Sequence, residues 1–193
     1  MNFLILSDSH RKRDHIAEAV RRNPNVDAIL FLGDGADDFD DKDRYLGIPL
    51  YCVRGNCDLF GFDKSLPENL FLHLDEYTVM MTHGHLYGTT PTDFSKAARH
   101  AAKNGADVLL FGHTHFPFEK YLPAGTLICG EPLEKPLYVF NPGCLGRIAE
   151  GVGGYYYFGT MKTTKSGIIF GHGRTISATV VFLLMLIIKN SVQ

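Results

Sequence analysis

The first ten residues, 1-MNFLILSDSH-10, join an apolar run to an abrupt polar turn. The apolar part, Phe3 to Leu6, has the composition of a buried strand, and the turn supplies an aspartate and a histidine. A helix with one apolar face is predicted for Asp14 to Arg22, followed by a strand at Ala28 to Leu32. Strand, helix and strand in this order predict a βαβ unit with parallel strands.

Four further apolar strands end in a polar turn of the same kind. The five pairs are FLIL before SDSH, AILFL before GD, LYCV before RGNCD, TVMM before THGH, and VLLF before GHTH. Because ligands bind beyond the carboxyl ends of parallel strands, we expect the five turns to meet in one place. The side chains that would collect there offer carboxylate oxygen, amide oxygen or imidazole nitrogen: Asp8, His10, Asp34, Asn56, His83, His113 and His115.

This donor set predicts a metal centre. Mixed oxygen and nitrogen donors suit Mn²⁺, Fe²⁺ or Zn²⁺ better than Ca²⁺, and the absence of thiolates argues against a structural zinc site. Seven ligands exceed the needs of one ion, whereas two ions roughly 3.5 to 4 Å apart that share a carboxylate would use them all. With two carboxylates and a bridging hydroxide the centre would keep a charge of about +1, which favours an anionic substrate.

The remaining pattern is that of an α/β protein. Strands are predicted at Leu50–Val53, Leu70–Leu74, Tyr77–Thr82 and Val108–Phe111. A helix is expected from Thr92 to Asn104, capped by Thr92 or Asp93 and ended by Gly105. After Phe116, short runs broken by Pro and Gly predict antiparallel strands of a second sheet.

Length and composition indicate one ordinary globular domain. The chain has 193 residues, of which 45% are hydrophobic and 21% charged, and a net charge of -2, so no basic field favours long nucleic acid. Four cysteines without a CxxC pair favour a reducing compartment, and we expect a cytoplasmic protein. The apolar run at the N-terminus is too short for a secretory signal.

An apolar tail sets the end of the chain apart. We assign the domain to residues 1–173 and a tail of unknown role to residues 174–193, since Gly171-His172-Gly173 resembles a natural stop. The run Ile176 to Ile188 would reach only about 20 Å as a helix, short of the roughly 30 Å of a bilayer core. We therefore expect no membrane span, but a buried terminal strand or a strip covered by a second subunit. A segment foreign to the domain is the third alternative.

The ordered motifs resemble those of a known family. D-x-H (Asp8, His10), GD (Asp34), GN (Asn56), HG (His83) and GHTH (His113, His115) are similar to those of the calcineurin-like metallophosphoesterases. GNCD and the later NPG resemble the small YfcE-like branch of phosphodiesterases, which also includes the metal-poor retromer subunit. The resemblance implies a pair of β-sheets sandwiched between helices, over roughly residues 1 to 173.

The resemblance also implies ligand assignments. One ion would be held by Asp8, His10 and His115, the other by Asn56, His83 and His113, with Asp34 bridging both. The family often uses manganese, with iron, nickel or zinc in relatives. The implied activity is hydrolysis of a small phosphodiester by hydroxide activated between the two ions.

One position departs from the family pattern. Many relatives have a histidine after GN that protonates the leaving group, with an acidic residue that orients it, and here Cys57 and Asp58 stand there. A thiol is a poorer proton donor, so good leaving groups should suffer least. The alternative for Cys57 is a small buried space-filler.

Several assignments stay open at this point. His85 is counted with Asp34, Asn56, Cys57 and Asp58 among the catalytic candidates, because beside His83 it could line the substrate pocket. Arg54 could contact phosphate, and Asn141 could lie beside the site or only build a tight loop. The rival function is a non-catalytic scaffold of the same fold, for which the apolar tail is the best argument. An amidohydrolase barrel would need more residues than the chain has.

Overall fold

The computed structural model describes residues 1–41, 43–60, 65–146, 156–164, 167–176 and 179–186. Helix α1 spans Arg13–Arg22 and helix α2 spans Ser95–Lys103. The strands are β1 (Asn2–Leu6), β2 (Ala28–Phe31), β3 (Arg44–Tyr45), β4 (Ile48–Cys52), β5 (Asn69–Leu74), β6 (Tyr77–Thr82), β7 (Val108–Phe111), β8 (Phe118–Leu122), β9 (Leu127–Ile128), β10 (Glu131–Pro132), β11 (Leu137–Asn141), β12 (Tyr156–Thr164), β13 (Gly167–Ile176) and β14 (Thr179–Leu186).

Two mixed sheets carry the fold. The first has the order β14-β13-β12-β1-β2-β4-β3, with β1, β2 and β4 parallel to one another. The second has the order β5-β6-β7-β11-β8, with β6, β7 and β11 parallel. A short hairpin of β9 and β10 stands apart from both.

The apolar runs are buried on both faces, which explains why they do not alternate with polar residues. Along β1, Phe3 and Ile5 belong to the core between the sheets, whereas Leu4 and Leu6 pack with Ile16 of α1. On the outer face of the second sheet, α2 packs through its alanines Ala97, Ala98 and Ala101. Helix, sheet, sheet and helix form four layers, and the predicted two-sheet sandwich flanked by helices is confirmed.

The start of α2 differs from the prediction. The helix begins at Ser95, three residues later than expected, because Thr90 and Asp93 exchange backbone hydrogen bonds of 2.8 and 3.3 Å in a closed turn. The residue at the cap position is Phe94, so the predicted cap at Thr92 or Asp93 was wrong, although the Asp93 side chain accepts a bond from the Ser95 N–H at 2.9 Å. Gly105, with φ of +71°, follows the end of the helix as expected.

The strands after Phe116 do not all join the second sheet, and that expectation was wrong. β8 and β11 do so, but β12 pairs antiparallel with β1, from Asn2 opposite Lys162 to Ile5 opposite Gly159. β1 has β2 on one side only, so β12 completes the hydrogen bonding of its other side. Nothing local in a strand sequence specifies which open edge it will take.

The sheet continues past residue 173. β13 runs through Gly171-His172-Gly173 to Ile176, and β14 pairs antiparallel with it at the edge of the first sheet. Residues 179–186 of the tail therefore form a terminal strand, while residues 187–193 lie outside the described residues, and the domain boundary stays a prediction. Among the described helices, none combines the length and hydropathy needed to cross a bilayer.

Candidate metal centre

The five polar turns meet at one end of the two sheets. Backbone hydrogen bonds join them: Asp8 N–H donates to Gly33 O at 2.9 Å, and Gly112 N–H donates to His83 O at 3.0 Å. The turns surround a cleft of about 530 Å³ lined by His10, Asp34, Asn56, Cys57, His113, His115 and Gly146. The parallel strands thus bring together side chains that are far apart in sequence.

The backbone of these turns is strained. Nine described residues other than glycine have a positive φ, and six of them lie here: Asp8, His10, Arg11, Asp34, His113 and His115. Such conformations cost about 1 to 3 kcal/mol each and persist where the surroundings impose them. Two glycines let neighbouring turns approach one another closely. A Cβ at Gly55 would overlap Asp34 Oδ1, and a Cβ at Gly112 would overlap Ser7 Oγ. Five of the seven predicted ligands therefore have a backbone conformation that few residues adopt.

Asp8, His10 and His115 form a first group of donor atoms. The ring nitrogens His10 Nε2 and His115 Nε2 are 3.2 Å apart, and Asp8 Oδ1 lies 3.8 and 3.2 Å from them. Asp8 Oδ2 is held by the Ser7 hydroxyl and by the His113 N–H at 3.1 Å, but the fully buried Oδ1 has no hydrogen-bond partner among the described residues. A buried carboxylate oxygen without a partner is costly, and a cation between these three atoms would satisfy it.

A second group contains Asp34, Asn56 and His83. His83 Nδ1–H donates to Leu32 O at 2.7 Å, which orients the ring so that Nε2 faces the site, as in metal-binding histidines. His83 Nε2 lies 3.1 Å from Asn56 Oδ1 and 3.4 Å from Asp34 Oδ2. The ring of His113 is 5.1 Å from that of His83, centre to centre. These donors face one another as the ligands of a second ion would.

Asp34 lies between the two groups. Its carboxylate is within 4.8 Å of donor atoms of both Asp8 and His83, and also of those of His10 and Cys57. The Cys57 N–H fixes Asp34 Oδ1 at 2.7 Å. The structure thus brings together all seven predicted ligands and gives Asp34 the central position, while the bridging role itself stays a prediction.

The charges suit cation binding. Burial alone would raise the pKa of Asp34, but His83 and the Cys57 N–H hold it below its usual value. Burial and the charge of His83 lower the pKa of His113 and of His85. Burial would lower the pKa of His83, but the hydrogen bond to Asp34 and the charge of Asp8 raise it. An ion bound beside His83 Nε2 would take the place of that proton.

Cys57 and Asp58 have different surroundings. The Cys57 side chain is exposed at the cleft, so the alternative of a buried space-filler is wrong. Desolvation, followed by the neighbouring Asp34, raises the pKa of the Cys57 thiol to about 11. Asp58 is 8% exposed, and its carboxylate accepts four backbone N–H bonds, from Asp34, Gly35 and Gly55 at 2.8 Å and from Ala36 at 3.0 Å. Asp58 therefore holds the turn that carries Asp34.

The three open residues are also placed. The ring of His85 lies 5.4 Å from that of His83, outside the cleft lining, and its buried Nδ1 has no hydrogen-bond partner among the described residues. Arg54 is ion-paired with Glu68. Asn141 is fully buried and donates to Gly112 O at 2.8 Å and to Thr114 Oγ1 at 3.1 Å, so it builds the GHTH turn.

Some site residues were missed in the sequence. Asp38 accepts hydrogen bonds from the Ser9 hydroxyl at 2.6 Å and from the Arg11 N–H at 2.9 Å, which stabilises the turn that carries His10. Cys144 Sγ donates to Asp8 O at 3.2 Å, across 136 positions of sequence. Asp38 lies in the acidic loop Asp37–Asp41, and the sequence does not indicate which turn that loop contacts. No local sequence pattern connects Cys144 with the turn at Asp8.

Comparisons with known proteins find relatives in sequence and structures of similar fold. YsnB of Bacillus subtilis, a probable metallophosphoesterase, is 31% identical over 147 residues, 75% of each chain. The phosphodiesterase YfcE of Escherichia coli is 39% identical over 71 residues, 34% of each chain, and its structure superposes with a TM-score of 0.52 and 19% identity over 89% of this chain and 91% of that one. Vps29 of Entamoeba histolytica, solved in complex with zinc, gives a TM-score of 0.67 at 17% identity over 96% of this chain and 98% of that one, which is a likeness of fold.

A family model extends the match over most of the sequence. The model of the calcineurin-like phosphoesterase superfamily domain matches residues 1–165, a range that contains both donor groups and all five turns. The first and last strands within the matched range, β1 and β12, are neighbours in the first sheet. With the 31% identity to YsnB, this match shows that the chain belongs to the calcineurin-like phosphoesterase superfamily.

Proposed function

We propose that the chain is a phosphodiesterase that depends on two divalent ions. The observation that carries the proposal is the buried, unpartnered Oδ1 of Asp8 that faces the ring nitrogens of His10 and His115. Asp8, His10 and His115 would hold one ion, and Asn56, His83 and His113 the other, with Asp34 shared. When bound, the ions would activate water as the nucleophile and offset charge on the phosphate. Mn²⁺ is the first candidate, followed by Fe, Ni and Zn.

A diester is the preferred substrate class on grounds of charge. The described cleft lining contains neither Lys nor Arg, and Arg54 is engaged by Glu68. Such a cleft suits a phosphodiester with one negative charge better than a monoester with two. The cleft of about 530 Å³ accepts a small diester.

We propose Cys57 as the side chain that would protonate the leaving oxygen. Its thiol faces the cleft, next to the proposed ligands Asn56 and Asp34. A thiol is a weak acid, so it gives little help to a poor leaving group. The natural substrate would therefore carry an aryl-like or otherwise acidic leaving group.

The test is hydrolysis of bis-p-nitrophenyl phosphate by the full chain, stripped of metal and refilled separately with Mn²⁺, Ni²⁺, Zn²⁺ or Mg²⁺. We expect metal-dependent turnover that is lost in Asp34→Ala and kept in the control Asp40→Ala, whose side chain is 88% exposed in a surface ion pair. Absence of turnover with every ion in folded protein would refute the proposal and favour the scaffold. Equal turnover of Asp34→Ala and Asp40→Ala would exclude the site around Asp34 as the place of hydrolysis.

Location and assembly complete the proposal. Among the described residues the four cysteines form no disulfide, in keeping with a reducing cytoplasm. The apolar strand β14 at the edge of the first sheet is a surface on which a second subunit could pair.

A further inference from the structure

Cys144 lies directly beside the first donor group. It is 2% exposed, and its thiol donates to the backbone oxygen of Asp8 at 3.2 Å. Its Sγ and one ring nitrogen each of His10 and His115 all lie within 4.8 Å of one another. A thiol and two imidazoles therefore lie together, and the unpartnered Oδ1 of Asp8 lies 3.8 and 3.2 Å from the Nε2 atoms of the same two rings.

These separations are close to those of a coordination shell. Tetrahedral ligands at metal–nitrogen distances near 2.1 Å and a metal–sulfur distance near 2.3 Å are about 3.4 Å apart. The two ring nitrogens, 3.2 Å apart, already meet this spacing. Sγ lies within 4.8 Å of a nitrogen of each ring, so it would need to approach by at most about 1.4 Å to reach the same spacing.

We propose that Cys144 is a thiolate ligand of the ion at the first group and makes that position selective for a softer metal. The inference rests on the proposed function, in that it assumes an ion at this group. On binding, the S–H bond breaks, a metal–sulfur bond forms, and the proton leaves to solvent. A thiolate favours Zn²⁺, Co²⁺ or Fe²⁺ over Mn²⁺, whereas the second group, with oxygen and nitrogen donors, has no such bias. The centre would then hold two different metals.

Cys57 is the rival thiol. Its Sγ groups with donor atoms of His10 and Asp34, on the exposed side of the site. Burial favours Cys144, because a sulfur shielded from water has less competition for an ion than the exposed sulfur of Cys57. The two thiols can be told apart by separate substitutions.

The test is absorption spectroscopy of the full chain loaded with Co²⁺, in the wild type, Cys144→Ser and Cys57→Ser. We expect a sulfur-to-cobalt charge-transfer band in the near ultraviolet for the wild type and Cys57→Ser, and no band for Cys144→Ser. Serine can still donate to Asp8 O, and Cys144→Ala serves as a second variant should the hydroxyl disturb folding. The preference for Zn²⁺ over Mn²⁺ should fall at least tenfold, about the effect of removing even an outer partner of a ligand.

The other outcomes separate the two proposals. A band that persists in Cys144→Ser, or Co²⁺ that binds to the wild type without any band, overturns the role of Cys144 and leaves the two-ion site intact. Failure of Co²⁺, Mn²⁺ and Zn²⁺ to bind at all refutes both this inference and the proposed function.

Discussion

Replacing Asp58 by Asn should destabilise the protein through the backbone and not through proton transfer. The Asp58 carboxylate accepts hydrogen bonds from four N–H groups, which lie in two turns, one carrying Asp34 and the other Gly55. An Asn side chain offers a single oxygen, which can serve two of the four donors, and its NH₂ would face the other two. Two buried N–H groups would then lack an acceptor.

The expected loss follows from those two groups. Each unsatisfied buried donor costs about 1 to 3 kcal/mol, so the free energy of unfolding should fall by about 2 to 6 kcal/mol, a large part of a typical total of 5 to 15 kcal/mol. The matched control is Asp40→Asn, which removes an exposed ion pair with Arg13 worth about 0 to 1 kcal/mol.

Urea unfolding with a chelator present measures this loss without a contribution from bound ions. A loss below 1 kcal/mol for Asp58→Asn, or one equal to that of the control, would refute the reasoning. So would a variant of normal stability whose turnover falls only for poor leaving groups, since that pattern belongs to a residue that assists the proton donor.

Three further changes test other parts of the site and fold. Gly55→Ala places a methyl group on Asp34 Oδ1, so calorimetry should show at least a tenfold loss of metal affinity, and unchanged affinity would contradict the observed contact. Cys57→His should raise turnover most on diesters with poor leaving groups, and an equal effect across a leaving-group series would exclude Cys57 as the acid. Burial lowers the pKa of His172 from 6.5 to about 4, so folding favours the neutral ring. The free energy of unfolding should therefore keep its full value above pH 6.5 and fall by up to about 3 kcal/mol as the pH is lowered towards 4. His172→Phe should remove that decline, whereas the raised pKa of Glu119 gives the opposite slope and remains in both proteins; an unchanged pH profile would contradict the shift.

The site turns were predictable because the donor residues of each turn lie directly after the end of a strand. In SDSH or GHTH the donor residues follow an apolar run directly. Because the strands are parallel, their carboxyl ends bring these residues together at one edge of the sheets. The βαβ start was visible for the same reason, since the helix and both strands have their own periodic patterns.

The contacts that the sequence did not reveal depend on partners distant in sequence. A carboxylate that follows Cys57 has the same local pattern whether it orients an acid or accepts backbone N–H groups. The partners of Asp58 become visible only when the turn at Asp34 is folded against it. The late start of α2 has another cause, because Thr90 and Asp93 form a local turn that competes with the first helical turn.

The position of β1 has a consequence for how the protein matures. β1 is synthesised before β2 and long before β12, yet it lies between them, and the amino group of Met1 donates to Thr163 O, 162 positions away. His10 and His115, whose nitrogens nearly touch, are 105 positions apart, so a ribosome adding about 5 to 20 residues per second needs roughly 5 to 20 s to make the second after the first. Long-range pairings of this kind form slowly. The first donor group, and an ion bound there as proposed, must therefore wait until residue 115 has left the ribosome.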